Sequence, residues 1–517
     1  MSLPFIPVHP EGETPLIASK AINSPIEVET FSGKVHVEWD PNASVTPLGQ
    51  LPFFIQFLKL GHRFEPWVTD SPLTYASNNA PKKLNVLGSL LLSVLSGHNR
   101  YAHISTLTTD NVAPELLGMT KVVSDDSARR ALKRMDETSS ICWLQKHLYS
   151  SYEPLLQTPW ILDTDTTIKP LYGHQEGAEI GYNPKKPGRP SHTYHTYLIA
   201  NIRLVLDVEV QAGNQSQSSH SLPGLMTVLD ALPEDSKPAF IRGDCDWGND
   251  SVMSNLEGKN YQYLFKLRKS KNVKNLIYKH HGTGDWTFFK SGWEAKEDLL
   301  KLQGWENERR VVIVRRRIAS ADPILAVEHQ HEGQQQLSFI DGPNDLKAYE
   351  YAVLVTNLND EVVSIIQHYR DRADCENVFD EIKNQWGWGG FTTKDLKPCR
   401  LMARIIALVY NWWTLFVRLA NPGSHLEAVT SRPLLLSSVG RMTKSGRQQK
   451  LLLTSSHNNA TAIQKACQRI ATFFDNLKQI APQLSSKDLW RKILVKAMEK
   501  FNVTGGESPP LLLPSIS

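Results

Sequence analysis

The sequence predicts an α/β protein: a mixed β-sheet with a β-rich insertion, flanked by N- and C-terminal helical regions. Three observations predict it. From residue 160, strand-like runs alternate with helical ones in the order β, β-β, α, β, α, β, the pattern of a sheet covered by helices and mixed because of the internal hairpin. Residues 269–348 break that alternation with several strand-like runs and little helix. On either side, residues 82–150, 394–422 and 460–500 carry helical periodicity.

The elements follow in order. IEVETFSGKVHVEWD (26–40) alternates apolar and polar residues around Ser32-Gly33, a hairpin signal. Residues 47–62 predict a short helix. KKLNVLGSLLLSVLSG, YAHISTLTTD and SDDSARRALKRMDETSSICWLQKHLYSSYEPLL predict helices. Among these, APELLGMTKVVSDDSARRALKRM suggests a helix closed by Gly118 and a new helix opened by Ser124 or Asp125. That arrangement is a helix-turn-helix whose second helix carries Arg129, Arg130, Lys133 and Arg134. The competing reading is a bundle corner with a solvated basic face.

WILDTDTTIKPLY predicts a strand, and HTYLIANIRLVLDVEVQAG (195–213) two strands joined as a hairpin. SLPGLMTVLDAL is a helix, KPAFIRGDCDWG a strand ending in a turn, NDSVMSNLEGK a helix and YQYLFKLRKS a strand. The insertion offers DWTFFKSGW, WENERRVVIVRRRI, AVEHQ and QQLSFID as strands. YEYAVLVTNL is again a strand. EVVSIIQHYRDRADCENVFDEIKNQWGW predicts one continuous helix, capped by Asn359 or Asp360. The tail GGESPPLLLPSIS has the composition of a disordered end. The expected division is 1–80 with the hairpin; 81–155 helical; 156–268 with 349–392 as the core; 269–348 the insertion; 393–503 helical; 504–517 the tail.

Composition excludes several classes. At 517 residues, 41% hydrophobic and 21% charged, the chain is an ordinary globular one with ample core material. A formal net charge of +4 permits a nucleic-acid partner without demanding it. The five cysteines are scattered, odd in number and lack a CxxC pair, which argues for a reducing compartment and against disulfides or a cysteine zinc site. His174, His192 and His195 are too loosely spaced for zinc. The start has no basic region followed by an apolar run, so no signal peptide is expected. The apolar stretch 401–420 is interrupted by Arg404, Asn411 and Arg418 and reads as a buried helix rather than a membrane span. The expected location is the cytoplasm, and no membrane partner is expected.

The chemistry concentrates in YRDRADCENVFDEIK (369–383). Tyr369, Arg372, Glu376 and Lys383 fall within roughly a 60° arc of one helix face, with Val378, Phe379 and Ile382 on an adjoining apolar face. A carboxylate flanked by two cations and a phenol suits a site for metal and phosphate together. The plain alternative is a surface helix with i,i+4 ion pairs. Asp163 and Asp165, two apart on a strand, share a face in the middle of a segment that should be buried, where carboxylates need a partner charge or a metal. Asp244 ends a strand, where ligands collect in open α/β sheets, with Asp246 its competitor. Three carboxylates from two strands and a helix could bind two hard divalent cations, and two such ions can clamp the attacking and leaving oxygens of a phosphoryl displacement.

These segments together resemble the DDE transposases of bacterial insertion sequences, which have an RNase H-like core. The helix matches the Tyr-x2-Arg-x3-Glu-x6-Lys signature of the group that cuts through a hairpin intermediate. LDTDTT resembles the setting of that group's first carboxylate and selects Asp165 over Asp163. IRGDCDWGND resembles the segment of the second and selects Asp244 over Asp246, with Trp247 where Phe or Tyr is more usual. LYGHQEG, containing His174 and Glu176, resembles one subgroup. The resemblance spans roughly residues 85–455 and does not cover the N-terminal hairpin.

The resemblance implies a fold, a reaction and partners. Asp165, Asp244 and Glu376 would hold two Mg2+ ions per active site, with Mn2+ as a substitute. Tyr369, Arg372 and Lys383 would contact DNA. An aromatic residue of the insertion, Trp286 or Trp293, would stack on a flipped base, each with the competing reading of a core residue. Arg129 and Arg130 are further expected DNA contacts, as are the basic runs at 185–189, 266–274, 309–317 and 440–450. The expected substrate is DNA, both the element's terminal inverted repeats and target DNA. The expected assembly on DNA is a homodimer or higher, in a bacterial nucleoid. Two rivals remain: an RNase H-like nuclease without strand transfer, and a non-catalytic DNA-binding derivative.

Overall fold

A computed structural model describes residues 25–40, 42–183, 185–215, 220–289, 292–318, 349–455 and 459–499. The expected strands AVEHQ and QQLSFID and the tail 504–517 lie outside these residues. An exposed hairpin, β1 (Ile26–Thr30) and β2 (Gly33–Val37), opens the described chain, turning at Phe31-Ser32 with Gly33 at φ +108°. The short β3 (Val45–Thr46) follows, then the helix Leu51–Leu60 and the helices Lys83–Leu95, Asp125–Arg134 and Glu137–Tyr152.

The core is a nine-stranded mixed sheet. Its strands are β4 (Ile161–Pro170), β5 (Ser191–Ile199), β6 (Leu204–Ala212), β7 (Phe240–Gly243), β8 (Tyr263–Lys266), β9 (Thr287–Phe289), β10 (Trp293–Leu300), β11 (Arg309–Arg317) and β12 (Tyr349–Thr356). Their spatial order is β6-β5-β4-β7-β8-β12-β11-β10-β9. An antiparallel meander β4-β5-β6 with β7 and β8 added in parallel to β4 is an RNase H-like core. The insertion does not build a separate sheet: β12 pairs antiparallel with β8, and β11, β10 and β9 extend the same sheet outward. The helix Lys271–His281, capped by the Ser270 hydroxyl, precedes them. Its amphipathic pattern is present in the sequence but sits between strand signals.

The helical regions gather around one long helix, Leu396–Ala420, which is buried along nearly its whole length. The three polar residues that interrupt its apolar run recur every seven positions, two turns apart, so they share a face. Each bonds the edge formed by β6 and its preceding turn. Arg404 Nε donates to Asp207 Oδ1 at 2.8 Å, and Arg418 Nη2 to the Ile202 carbonyl at 3.0 Å. Asn411 pairs both ways with the Val205 backbone, accepting its N–H at 2.8 Å and donating to its C=O at 2.7 Å. The amide thus substitutes for a neighbouring strand. Asn411→Leu leaves both backbone groups buried and unpaired, so it is expected to cost about 2–4 kcal/mol; denaturant unfolding followed by tryptophan fluorescence measures this. No helix of the described residues is long and apolar enough to cross a membrane. All five cysteines are free.

The described residues close with the helix Ala428–Leu435, a second hairpin, β13 (Gly440–Ser445) and β14 (Gln448–Leu453), and the helices Ala460–Ile480 and Ser486–Met498. β13 pairs with β3, giving a three-stranded sheet in the order β14-β13-β3.

Candidate active site

Asp165 and Asp244 come to the same end of adjacent parallel strands. β4 and β7 pair over Ile161–Asp163 and Phe240–Arg242. Asp165 therefore lies just past the last paired residue of β4, and Asp244 follows directly on β7. The turn after Asp244 is held by Trp247, whose buried indole folds back over Gly243. A Cβ on Gly243 would lie 2.6 Å from that ring, so the position requires glycine.

The two aspartates of β4 have different partners. Asp163 is fully buried and receives two bonds from Arg242, Nε to Oδ1 at 2.6 Å and Nη2 to Oδ2 at 2.7 Å. Arg242 also donates through Nη1 to the His368 carbonyl. Asp163 is thus paired within the fold and ties β4 and β7 to the helix Val362–Arg370. Asp165 faces Arg372 instead: Nη2 donates to its Oδ2 at 2.8 Å, while its Oδ1 accepts the Thr166 N–H at 2.7 Å. Asp246, the competitor of Asp244, is paired with Arg268.

The signature segment is two helices rather than one. Val362–Arg370 and Ala373–Gln385 are separated at Asp371-Arg372. The first is preceded by Glu361 with no side-chain cap, so neither Asn359 nor Asp360 plays that part. At the junction the N–H of Arg372 bonds the Tyr369 carbonyl, and that of Cys375 the Arg372 carbonyl, both three residues back. This tight turn carries Arg372 inward, where it is buried. There it bridges Asp165 to Glu376, with Nη1 to Oε1 at 3.1 Å. Lys383 reaches back to β4 and donates to the Ile168 carbonyl at 3.0 Å. The structure thus brings Asp165, Asp244, Glu376, Arg372, Tyr369 and Lys383 to the C-terminal ends of the interior strands β4 and β7.

Burial dominates the electrostatics. Burial, reinforced by Asp244 and opposed by Arg372, pushes the Asp165 carboxyl up to about 7. Burial likewise raises Asp244, against the pull of Arg372. Burial raises the Tyr369 phenol and lowers the Lys383 ammonium. Burial disfavours the Arg372 charge, but Asp165 and its neighbours outweigh that and hold the guanidinium firmly protonated.

Asp165, Asp244 and Glu376 offer oxygen donors of the kind a hard divalent cation takes, with the buried Arg372 among them. The Nε of Arg372 is buried with no hydrogen-bond partner among the described residues, an N–H donor that suits an acceptor such as a phosphate oxygen rather than a cation. Among those residues, no three His, Cys, Asp or Glu side chains converge as a ready metal cluster. Arg372 bridges two of the carboxylates instead.

Other expected site residues lie elsewhere. Arg129 and Arg130 pair with Asp125 and Asp126 one turn back. They line a cleft of 430 Å3 with Lys133, His174, Gln175 and Lys394. Trp286 is buried, with Arg315 packed 3.8 Å over its ring. Trp293 is half-buried, with Arg316 at 4.9 Å and Arg370 at 5.5 Å from its ring centre. The exposed aromatic of this part of the insertion is Phe288. Arg309 is buried against Asp250 and Glu257 of the helix Asp250–Gly258, and Arg310 reaches Glu297 on β10, so both arginines are paired within the fold.

Two contacts escape sequence reasoning. Asp163 and Arg242 are 79 positions apart, and their pairing follows only from the parallel register of β4 and β7. Glu176 is likewise distant in sequence from its partner. Its Oε2 accepts the Leu396 N–H at 2.8 Å, anchoring the loop after β4 to the start of the long helix.

A family model for the transposase DDE domain, group 1, matches residues 56–474. No curated protein matches the chain. Among solved structures it is similar to the piggyBac transposase synaptic complex with hairpin DNA, at 12% identity over 87% of this chain and 85% of that one, with a TM-score of 0.35. DDE transposases use divalent metal ions. Matched by the family model over most of its length, and carrying carboxylates at the ends of two core strands and on the adjoining helix, the chain belongs to the DDE transposases of domain group 1.

Proposed function

We propose that this transposase is of the bacterial insertion-sequence type marked by Tyr369, Arg372, Glu376 and Lys383, and that it moves its element by cutting through a DNA hairpin. The observation that carries the reading is the strand-end site where Arg372 bridges Asp165 and Glu376 with Asp244 close by. Asp165, Asp244 and Glu376 would hold two Mg2+ ions, which when bound supply Lewis-acid polarisation of the phosphate oxygens.

The side chains position the rest. Water attacks the phosphodiester at the element end, the P–O3′ bond breaks, and a 3′ hydroxyl is released. That hydroxyl attacks the phosphodiester at the element boundary on the opposite strand. The P–O3′ bond to the flanking strand breaks, the flank leaves with a 3′ hydroxyl, and the element end is closed as a hairpin. Water attacks the hairpin phosphodiester, and its P–O3′ bond breaks to regenerate the element's 3′ hydroxyl. That hydroxyl attacks a target phosphodiester, whose P–O3′ bond breaks to leave a target 3′ hydroxyl. Arg372 and Lys383 supply cations beside the breaking bond, and Tyr369 a hydroxyl for a phosphate oxygen. Arg129 and Arg130 line a cleft away from these carboxylates, which suits a contact with flanking duplex. Phe288, rather than the buried Trp286, has the open ring face that stacking on a base requires.

The test is incubation of the purified protein with Mg2+ and a labelled duplex carrying the element's own ends. Nicks, hairpins and joined products are expected. A nick without hairpin or joined product would make the protein a nuclease alone, and end binding without any nick would make it a DNA-binding derivative.

A further inference from the structure

The hairpin of β1 and β2 is an amphipathic ribbon whose apolar face is left uncovered by the described residues. Its register pairs Ile26 with Val37 and Val28 with Val35 on one face, and Glu27 with His36 and Glu29 with Lys34 on the other. Every residue of both strands is exposed, Ile26, Val28, Val35 and Val37 at 39–45%, and Phe31 at the tip completely. A lone two-stranded ribbon is marginal in water, and an open apolar strand edge invites pairing. Glu27, Glu29, Glu38 and Asp40 outnumber Lys34, so the ribbon repels phosphate, and its partner is protein rather than DNA.

The same chain carries a matching edge. β14 is the outer strand of the sheet β14-β13-β3, with no strand beyond it among the described residues. One of its faces presents Leu451 and Leu453 beside Met442, and the other presents Lys450 and Leu452 beside Arg441. Leu452, Leu453, Lys450 and Arg441 are exposed. A ribbon laid along β14 can continue the leucine face with Ile26, Val28, Val35 and Val37 while setting its glutamates on the face of Lys450 and Arg441. Apolar and charged patterns match together in one register.

We infer that the β1–β2 ribbon of one copy adds to the β14 edge of a second copy. The exchange joins the two-stranded and three-stranded sheets into one of five strands at each of two equivalent junctions. In this structure the ribbon does not lie on its own β14, and β3, to which residues 38–44 lead, forms the opposite edge of that sheet. Reaching β14 of the same chain would take the connector across a face of the sheet, whereas a second copy is approached from outside. The inference does not rest on the catalytic reading, and its test contains no DNA.

The full chain with Phe31 replaced by the photo-crosslinker p-benzoylphenylalanine is irradiated, and the linked peptides are identified by mass spectrometry. A covalent dimer linked to residues 440–453 is expected. A link within one chain, a link elsewhere, or no link overturns the inference. In sedimentation, the unmodified chain is expected at twice its 58.3 kDa mass. Val28→Lys with Val35→Lys, on a ribbon exposed along both strands, is expected to weaken the dimer by more than about tenfold. A monomeric unmodified chain, or a dimer indifferent to the two lysines, also overturns it.

Discussion

Asp163→Asn is expected to destabilise the protein by about 3–5 kcal/mol, while Asp165→Asn leaves stability unchanged or improved and lowers DNA cleavage by on the order of 10³-fold or more. The two residues share a strand face, yet their surroundings are opposite. Asp163 is the counter-ion of a fully buried guanidinium that also holds the C-terminal turn of the helix Val362–Arg370. Removing its charge leaves Arg242 buried without a full partner. Asp165 is one of three carboxylates around a single arginine, so neutralising it relieves repulsion from Asp244. Asp163→Asn is expected to keep more cleavage than Asp165→Asn, because the folded fraction retains all three site carboxylates. Denaturant midpoints and strand nicking, measured on the same preparations, separate the two. If Asp165→Asn is the unstable variant and Asp163→Asn the inactive one, the site has been assigned to the wrong residue.

That pair also shows how far a sequence can be read. Alternation places both aspartates on one face but cannot choose between them, because the choice depends on Arg242, which meets β4 only through a parallel pairing. Resemblance to a family favours Asp165, and the pairing of Asp163 with Arg242 supports that reading. Asp244 is easier, since a strand followed by a turn is a local signal. The break at Asp371-Arg372 is not legible: no Gly or Pro marks it, and helical spacing runs across it unbroken. It forms because an inward arginine finds two carboxylates, a tertiary gain that outweighs one regular turn of helix. The insertion's strands are legible as strands, but their continuation of the core sheet depends on β12 pairing with β8, far away in sequence. In the N-terminal hairpin alternation signals two strands, and both are exposed among the described residues.

Glu376→Gln is expected to reduce cleavage by on the order of 10³-fold or more while changing affinity for element ends by less than about threefold. Glu376 lies four residues after Arg372, its side chain 43% exposed, and accepts one bond from that arginine at 3.1 Å. Glutamine keeps the length and can still accept that bond, so stability should change by less than about 1 kcal/mol. What it loses is a charge. With Asp165 and Asp244 partly buried and already crowding each other, Glu376 is the carboxylate with room to turn toward an ion without breaking a buried pair. Its loss should therefore appear as weaker Mn2+ binding by electron paramagnetic resonance, independently of any cleavage assay. Arg372 would keep its bond to Asp165, so the cation beside the phosphate stays in place and DNA binding persists. If Glu376→Gln binds neither DNA nor Mn2+ and unfolds early, the residue serves the fold. If it cleaves normally, the third carboxylate of the site lies elsewhere.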